Sequence, residues 1–227
     1  MKIKFGSLVV AGSGKIGGHV ASKNRGGAYL RTKVTPSNPN TASQAGARNR
    51  LATIATAWRG LTDAQRLQWN GAVSGFKGTD IFGDIKNPSG FNLYQMLNNN
   101  LTLAGLANIS VPPLPVALPA ITTGVVAAAH GGALTVTFTA DPSIAASVIA
   151  VFATSAQSQG KSFVKSEFRF IGLMPAVVAH VATLTTLYNA KFGAVGAAGE
   201  KTFIKLMQIS NVTGQAGIPV IYSAINS

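Results

Sequence analysis

The chain has 227 residues, of which 47% are apolar and only 11% charged, with no cysteine and a formal charge of +13. That length and apolar content suit one large folded unit or two small ones with a real core. The missing cysteine excludes disulfide frameworks, thiolate nucleophiles and thiolate metal sites, and a charged fraction far below the usual figure of about a quarter leaves Ser, Thr, Asn, Gln, Gly and Ala to cover the surface, as in proteins that stay inside assemblies.

The first twelve residues, MKIKFGSLVVAG, have too short and broken an apolar core for a secretory signal. No later run reaches the about 18 apolar residues of a membrane span, so a soluble chain is expected. From Met1 to Thr62 ten cations (Lys2, Lys4, Lys15, Lys23, Arg25, Arg31, Lys33, Arg48, Arg50, Arg59) stand without a single acid, and Asp63 is the first carboxylate. Such a segment repels itself and requires an anionic partner, whether nucleic acid, membrane surface or acidic protein face.

Leu8–Val34 reads as two strands joined at Asn24-Arg25-Gly26-Gly27. Alternation over Ala28–Val34 places Leu30, Thr32 and Val34 on one face and Tyr29, Arg31 and Lys33 on the other, giving the hairpin a basic face. It contains Gly12-Ser13-Gly14-Lys15-Ile16-Gly17, a literal G-x-G-x-x-G. A dinucleotide site needs a helix after that motif and an acid about 20 residues further on, and both are missing. A phosphate-binding P-loop is excluded because Ile16 stands where Ser or Thr is needed for magnesium. The glycines instead serve tight turns with positive φ.

Thr35-Pro36-Ser37-Asn38-Pro39-Asn40 is an extended connection, since each residue before a proline is pushed away from helix. A helix follows, capped by Thr41 or Ser43, with Leu51, Ile54, Ala55 and Trp58 on one apolar face, ending at Arg59-Gly60. Thr62-Asp63-Ala64-Gln65 has capping-box spacing and opens a second helix that runs to about Val73. After a glycine-broken loop through Gly75, Gly78, Gly83 and Pro88, Ser89 caps a third helix with Leu93, Tyr94, Leu97 and Leu101 on one face.

Val111–Pro119 carries four prolines and excludes both helix and interior strand. Beyond it the period becomes two. Strands are expected near Ile121–Ala127, Leu134–Thr139, Val148–Phe152, Phe163–Ile171, Val177–Leu187, Phe203–Ile209 and Pro219–Ile225, about seven in all, the pattern of an immunoglobulin-like or fibronectin-like sandwich. The fold class is therefore α+β: a basic hairpin and arm (residues 1–40), a three-helix region (41–110), a proline-rich linker (111–119) and a mostly-β immunoglobulin-like sandwich (120–227).

The two helices around Arg59-Gly60-Leu61 fit a helix-turn-helix that aims Gln65, Arg66 and Gln68 at base edges, and they equally fit a plain αα-hairpin. Nonspecific phosphate contact asks only for clustered cations. The acids (Asp63, Asp80, Asp84, Asp141, Glu167, Glu200) and histidines (His19, His130, His180) form no hydrolase or metalloprotease motif. Asp80 and Asp84 alone make a weak cation site, so no catalytic residue, metal ligand or cofactor site is expected.

An ordered series of pieces resembles the uncharacterised structural proteins of tailed bacteriophages and prophages. It runs from Gly14-Lys15-Ile16-Gly17-Gly18 through Asn24–Arg31, Val34–Thr41, Gln44 and Arg48, Ala57–Thr62, Gln65-Arg66, Trp69 and Asp80–Asp84 to Ser89–Tyr94. The resemblance spans about Gly14 to Leu106; it implies a place in a virion and no reaction. The expectation is a noncatalytic virion subunit, assembled in the host cytoplasm, at the capsid surface or neck. Lys15, Lys23, Arg25, Arg31, Lys33, Arg48, Arg50 and Arg59 would hold acidic capsid, portal or neck surface, with contact to packaged DNA a further option and no membrane or small-molecule substrate. The alternative is a nonspecific nucleic-acid-binding module built on the same hairpin and helices.

Overall fold

A computed structural model describes residues 12–35, 39–79, 82–121, 124–140, 142 and 146–227. Among them it places four α-helices and twelve strands, and every strand pairing is antiparallel, an α+β architecture.

The N-terminal unit is a three-stranded meander of β1 (Gly14–Ile16), β2 (His19–Asn24) and β3 (Gly27–Thr32). The expected hairpin is β2–β3, turning at Asn24–Gly27, where Asn24 Oδ1 accepts from the Gly26 N–H at 2.8 Å. The G-x-G-x-x-G stretch forms β1 and its turn. Gly17 takes φ +54 between β1 and β2, a conformation that favours glycine, and a strand, not a helix, follows.

Helix α1 (Ala42–Arg59) starts in a capping box: the Gln44 N–H donates to Thr41 Oγ1 and the Thr41 N–H to Gln44 Oε1, both at 3.3 Å. Helix α2 (Asp63–Ala72) repeats the device, with the Thr62 N–H donating to Gln65 Oε1 at 2.9 Å and the Gln65 N–H to Thr62 Oγ1 at 3.2 Å. A short 3₁₀ turn follows at Val73–Gly75, and then a small hairpin of β4 (Gly78–Thr79) and β5 (Ile85–Lys86) where a loop was expected. Ser89 caps α3 (Gly90–Leu103) by accepting from the Asn92 N–H at 3.1 Å.

The three helices bury Ile54, Leu61, Trp69, Leu93, Tyr94 and Leu97 as one cluster. Trp69 meets the Tyr94 ring edge-on at 5.1 Å and donates its indole N–H to the Ser110 carbonyl at 2.8 Å. Leu51 departs from expectation. It lies on the apolar stripe of α1 yet is 51% exposed and stays outside the cluster that the three helices bury.

The C-terminal region holds two sheets. One orders its strands β10-β7-β6, from β6 (Gly124–Ala128), β7 (Leu134–Phe138) and β10 (Val181–Thr183). The other runs β12-β11-β8-β9, from β8 (Ser147–Ala153), β9 (Arg169–Leu173), β11 (Lys201–Ser210) and β12 (Val220–Ile225). Their facing side chains, Val126, Leu134, Val136 and Phe138 against Ile149, Val151, Ile204 and Leu206, share one apolar cluster. Leu103, Ala104 and Leu106 cover part of the second sheet's outer face through Val148, Ala150 and Ile209. Strand β8 is thus covered on both faces, which is why Val148–Phe152 is apolar without alternation.

Two expected strands differ. Of Phe163–Ile171 only the last residues enter β9. Val177–Leu187 folds instead as a two-residue turn at Ala179-His180, strand β10 and the start of helix α4 (Thr185–Phe192). Tyr188 anchors that helix in the core and donates its hydroxyl to the Thr154 carbonyl at 3.1 Å.

The proline-rich segment lies against both halves. The Gly75 Cα abuts the Pro115 ring, and the Val116 N–H donates to Gln215 Oε1 at 2.7 Å. The loop between β11 and β12 in turn meets α3, where Asn100 Nδ2 donates to the Gly214 carbonyl at 2.9 Å.

Candidate anion-binding surface

The register of the N-terminal meander decides where its cations point. Lys15 pairs with Val20, and Val20 with Arg31, so these three form one row across the sheet on one face. Lys15 and Arg31 are two strands apart, about 10 Å by sheet geometry. Lys33 extends the line just past β3, its N–H donating to the Gly18 carbonyl at 2.7 Å. Tyr29 and Ser22, also paired, lie on this face as well. The expected Arg31 and Lys33 face therefore gains Lys15.

Lys23 does not join it. Paired with Ala28, it lies on the opposite face with Ile16, Ala21 and Leu30. Arg25 occupies the tip of the β2–β3 turn. All five cations (Lys15, Lys23, Arg25, Arg31, Lys33) are exposed, and among the described residues none of them forms an ion pair. Ala21 is the only buried side chain of the meander.

The arginines of α1 divide in the same way. Arg48 and Arg59 are eleven positions apart and exposed on one side of the helix. Arg48 donates to Asn40 Oδ1 at 3.0 Å and Arg59 to Thr56 Oγ1 at 3.0 Å. Arg50 is half-buried and turned toward α3, its Nε donating to Asn99 Oδ1 at 2.7 Å. Its role is therefore to fix α1 on α3.

The helix-turn-helix geometry loses two of its three readers. Gln65 is held in the capping box, while Arg66 pairs with Asp63 at 2.9 Å and donates to the Arg59 carbonyl at 2.7 Å. Gln68 alone remains exposed.

A residue that sequence reasoning missed ties the meander to the helices. Lys86, on β5, donates its ammonium to the Gly26 carbonyl at 2.5 Å. A cleft of about 380 Å³ opens beside that contact, lined by Arg25, Lys86, Ser89, Asn92 and Met96 among others. Lys86 lies 60 residues from Gly26, and no local pattern announces such a contact.

Among the described residues no group of three or more His, Asp or Glu side chains is placed to hold a metal ion. Asp80 and Asp141 lie outside the described residues, and Asp84 is exposed. His19 is exposed on β2, the Nδ1 of His130 is 3.0 Å from the Gly196 carbonyl oxygen, and His180 sits in the β9–β10 turn. No helix among the described residues is long and apolar enough to cross a membrane.

No family model, no curated protein and no solved structure matches this chain.

Proposed function

We propose that the protein is a noncatalytic structural subunit of a bacteriophage particle, associated with capsid, portal or neck, that grips neighbouring subunits through its basic N-terminal meander. One observation carries the reading: the meander with its turn and flank buries a single alanine and displays five cations that form no ion pair among the described residues. A three-stranded sheet with so little buried side-chain area is marginal in water, and Lys86 of β5 ties it to the rest of the chain at its turn. A partner that presents an acidic face to Lys15, Arg31 and Lys33, and an apolar one to the exposed Ile16, would complete it. The ordered motifs from Gly14 to Leu106 that resemble tailed-phage structural proteins support the same place.

Strand order supports reading residues 120–227 as the immunoglobulin-like sandwich of such a subunit. The first, second and fifth strands of the region form one sheet, and the third, fourth, sixth and seventh form the other, a division close to the immunoglobulin arrangement.

The second reading, nonspecific nucleic-acid binding, rests on the same Lys15–Arg31–Lys33 face. Salt separates them. Phosphate binding weakens by about one log-log slope unit per cation engaged, whereas docking that also buries the exposed Ile16 keeps an apolar component that salt does not remove. The experiment is a salt titration of the protein's binding to capsid, portal and neck proteins of the same particle, run beside duplex DNA. Retention on the protein partner with loss of DNA supports the virion reading, and the reverse overturns it.

A further inference from the structure

A second surface, far along the chain from the basic meander, is also incomplete. On the outer face of the β12-β11-β8-β9 sheet, the end of α3 covers the part near Ala150 and Ile209, and the part formed by β11 and β12 is left open. There Lys201, Phe203 and Lys205 alternate along β11 with inward-facing Thr202 and Ile204. Lys205 pairs with Ile221 of β12 and Lys201 with Ile225. The loop before β9 rises beside this face and forms a groove of about 390 Å³ lined by Phe163, Phe168, Phe203, Lys205, Pro219 and Ile221 among others. That volume lies within the range of clefts that bind ligands, about 300–1,000 Å³.

Two features of the groove do not fit a solvent-facing sheet. Phe163 is 75% exposed and Ile221 54% exposed although both line the groove, and exposed apolar surface gathered in this way marks interaction sites. At the floor, the Lys205 ammonium sits 4.2 Å from the Phe152 ring centroid and 5.1 Å from that of Phe168. The ammonium is held by these ring faces and, among the described residues, forms no ion pair. Glu167, next to Phe168 in the chain, pairs with Lys161 at 3.6 Å. Burial lowers the pKa of Lys205, with no carboxylate acting against it. A partly desolvated cation without a counter-ion is a favourable place for an anion.

We propose that this groove is a docking site for an extended segment of another protein that sets an Asp or Glu carboxylate on Lys205 between apolar side chains packed on Phe163 and Ile221. Charge selects the occupant. A second copy of this chain would bring nineteen cations and only six acids, so the partner is a different, more acidic chain. Single-stranded nucleic acid fits less well, because it needs open ring faces for base stacking. Phe203 is buried beneath the Lys201 ammonium, 5.0 Å from its centroid, and Phe163 alone projects freely. The site is independent of the meander and does not rest on the virion reading.

The test uses the full chain and fluorescence anisotropy with three labelled probes: a peptide alternating leucine with aspartate, its counterpart with asparagine, and oligothymidine. The acidic peptide should bind the native protein at least tenfold more tightly than the asparagine peptide. Lys205→Met, which keeps the apolar stem, and Phe163→Ser, at an exposed position that threatens no core, should each weaken the acidic peptide by tenfold or more. Paired charge reversal of Lys15 and Arg31 should leave it unchanged. No binding of the acidic peptide, equal binding of the asparagine peptide, indifference to both groove variants, or loss to the Lys15 and Arg31 changes would overturn the proposal. Displacement of the peptide by oligothymidine would overturn it in favour of a nucleic-acid surface.

Discussion

Replacing Asn98 by alanine should cost the helical region more than any exposed substitution on it. Asn98 is fully buried on α3 and, together with Trp69 at the Ser110 carbonyl, pins the chain that enters the proline-rich segment. Its Oδ1 accepts from the Ile109 N–H at 2.7 Å, while Nδ2 donates to the carbonyls of Ile109 at 3.2 Å and Tyr94 at 3.0 Å. Alanine removes all three bonds. The Tyr94 carbonyl remains in the helical ladder, so its loss is minor. The Ile109 N–H and carbonyl lose their partner, at about 1–3 kcal/mol for each polar group left unsatisfied in a buried site. Ile109 is only half-buried, which lets water recover part of that, and the sum falls at about 2–4 kcal/mol. In a chain of this length 1 kcal/mol shifts Tm by about 2–4 °C, so a loss near 3 kcal/mol lowers it by roughly 6–12 °C. Urea unfolding gives the free energy, and hydrogen exchange at the Ile109 amide gives the local consequence. A loss under about 0.5 kcal/mol, or an Ile109 amide that exchanges at loop rates in the native protein, would refute the reasoning.

Three further outcomes follow from particular contacts. Ala179 and His180 occupy a two-residue turn with φ +47 and +67, closed by reciprocal 2.9 Å bonds between Val178 and Val181. Ala179→Asn with His180→Gly supplies the residues such turns favour and should raise stability by about 1 kcal/mol, read as a higher Tm; an unchanged or lower Tm contradicts the turn geometry. Because burial holds the Lys205 pKa below its ordinary 10.5, the unfolded chain binds more protons than the folded one just below that value. Stability should therefore rise as pH climbs toward 10.5, and urea midpoints should show the rise in the native protein and its loss in Lys205→Met. Lys15→Glu with Arg31→Glu should leave Tm nearly unchanged, because both side chains are exposed and form no ion pair among the described residues, while abolishing capture, in a pull-down, of the capsid, portal or neck subunit that the meander grips; capture at native strength would remove the meander from that interface.

What could be read from the sequence was what short-range chemistry dictates. Thr62 and Gln65 announce a cap three residues apart because the bonds that make it are local. Leu93, Tyr94, Leu97 and Leu101 declare a buried face because helical spacing alone brings them together, and all four are buried. The Asn24–Gly27 turn followed from the same local logic. Contacts across long separations left no such mark. Lys86 reaching Gly26 and Asn100 reaching Gly214 depend on how finished elements pack. Leu51 sits on the correct stripe, but its exposure depends on how the three helices pack. Helix α4 was masked by the β-branched residues of Val181–Thr186, and Ala179-His180 carries no glycine to signal a turn. Along β11, Lys201, Phe203 and Lys205 alternate as any solvent face would; only the loop around Phe163 turns that face into a groove.

The proposed place of this chain in a particle can be tested directly. Purified particles from the source, treated with nuclease and washed at high salt, can be quantified by protein mass spectrometry against the major shell protein. The account predicts that the chain stays at a fixed copy ratio to the shell protein, whose size separates a shell decoration from a neck ring. Absence of the chain, or its loss together with nucleic acid in the wash, would contradict the account and make the Lys15–Arg31–Lys33 face a nucleic-acid-binding surface.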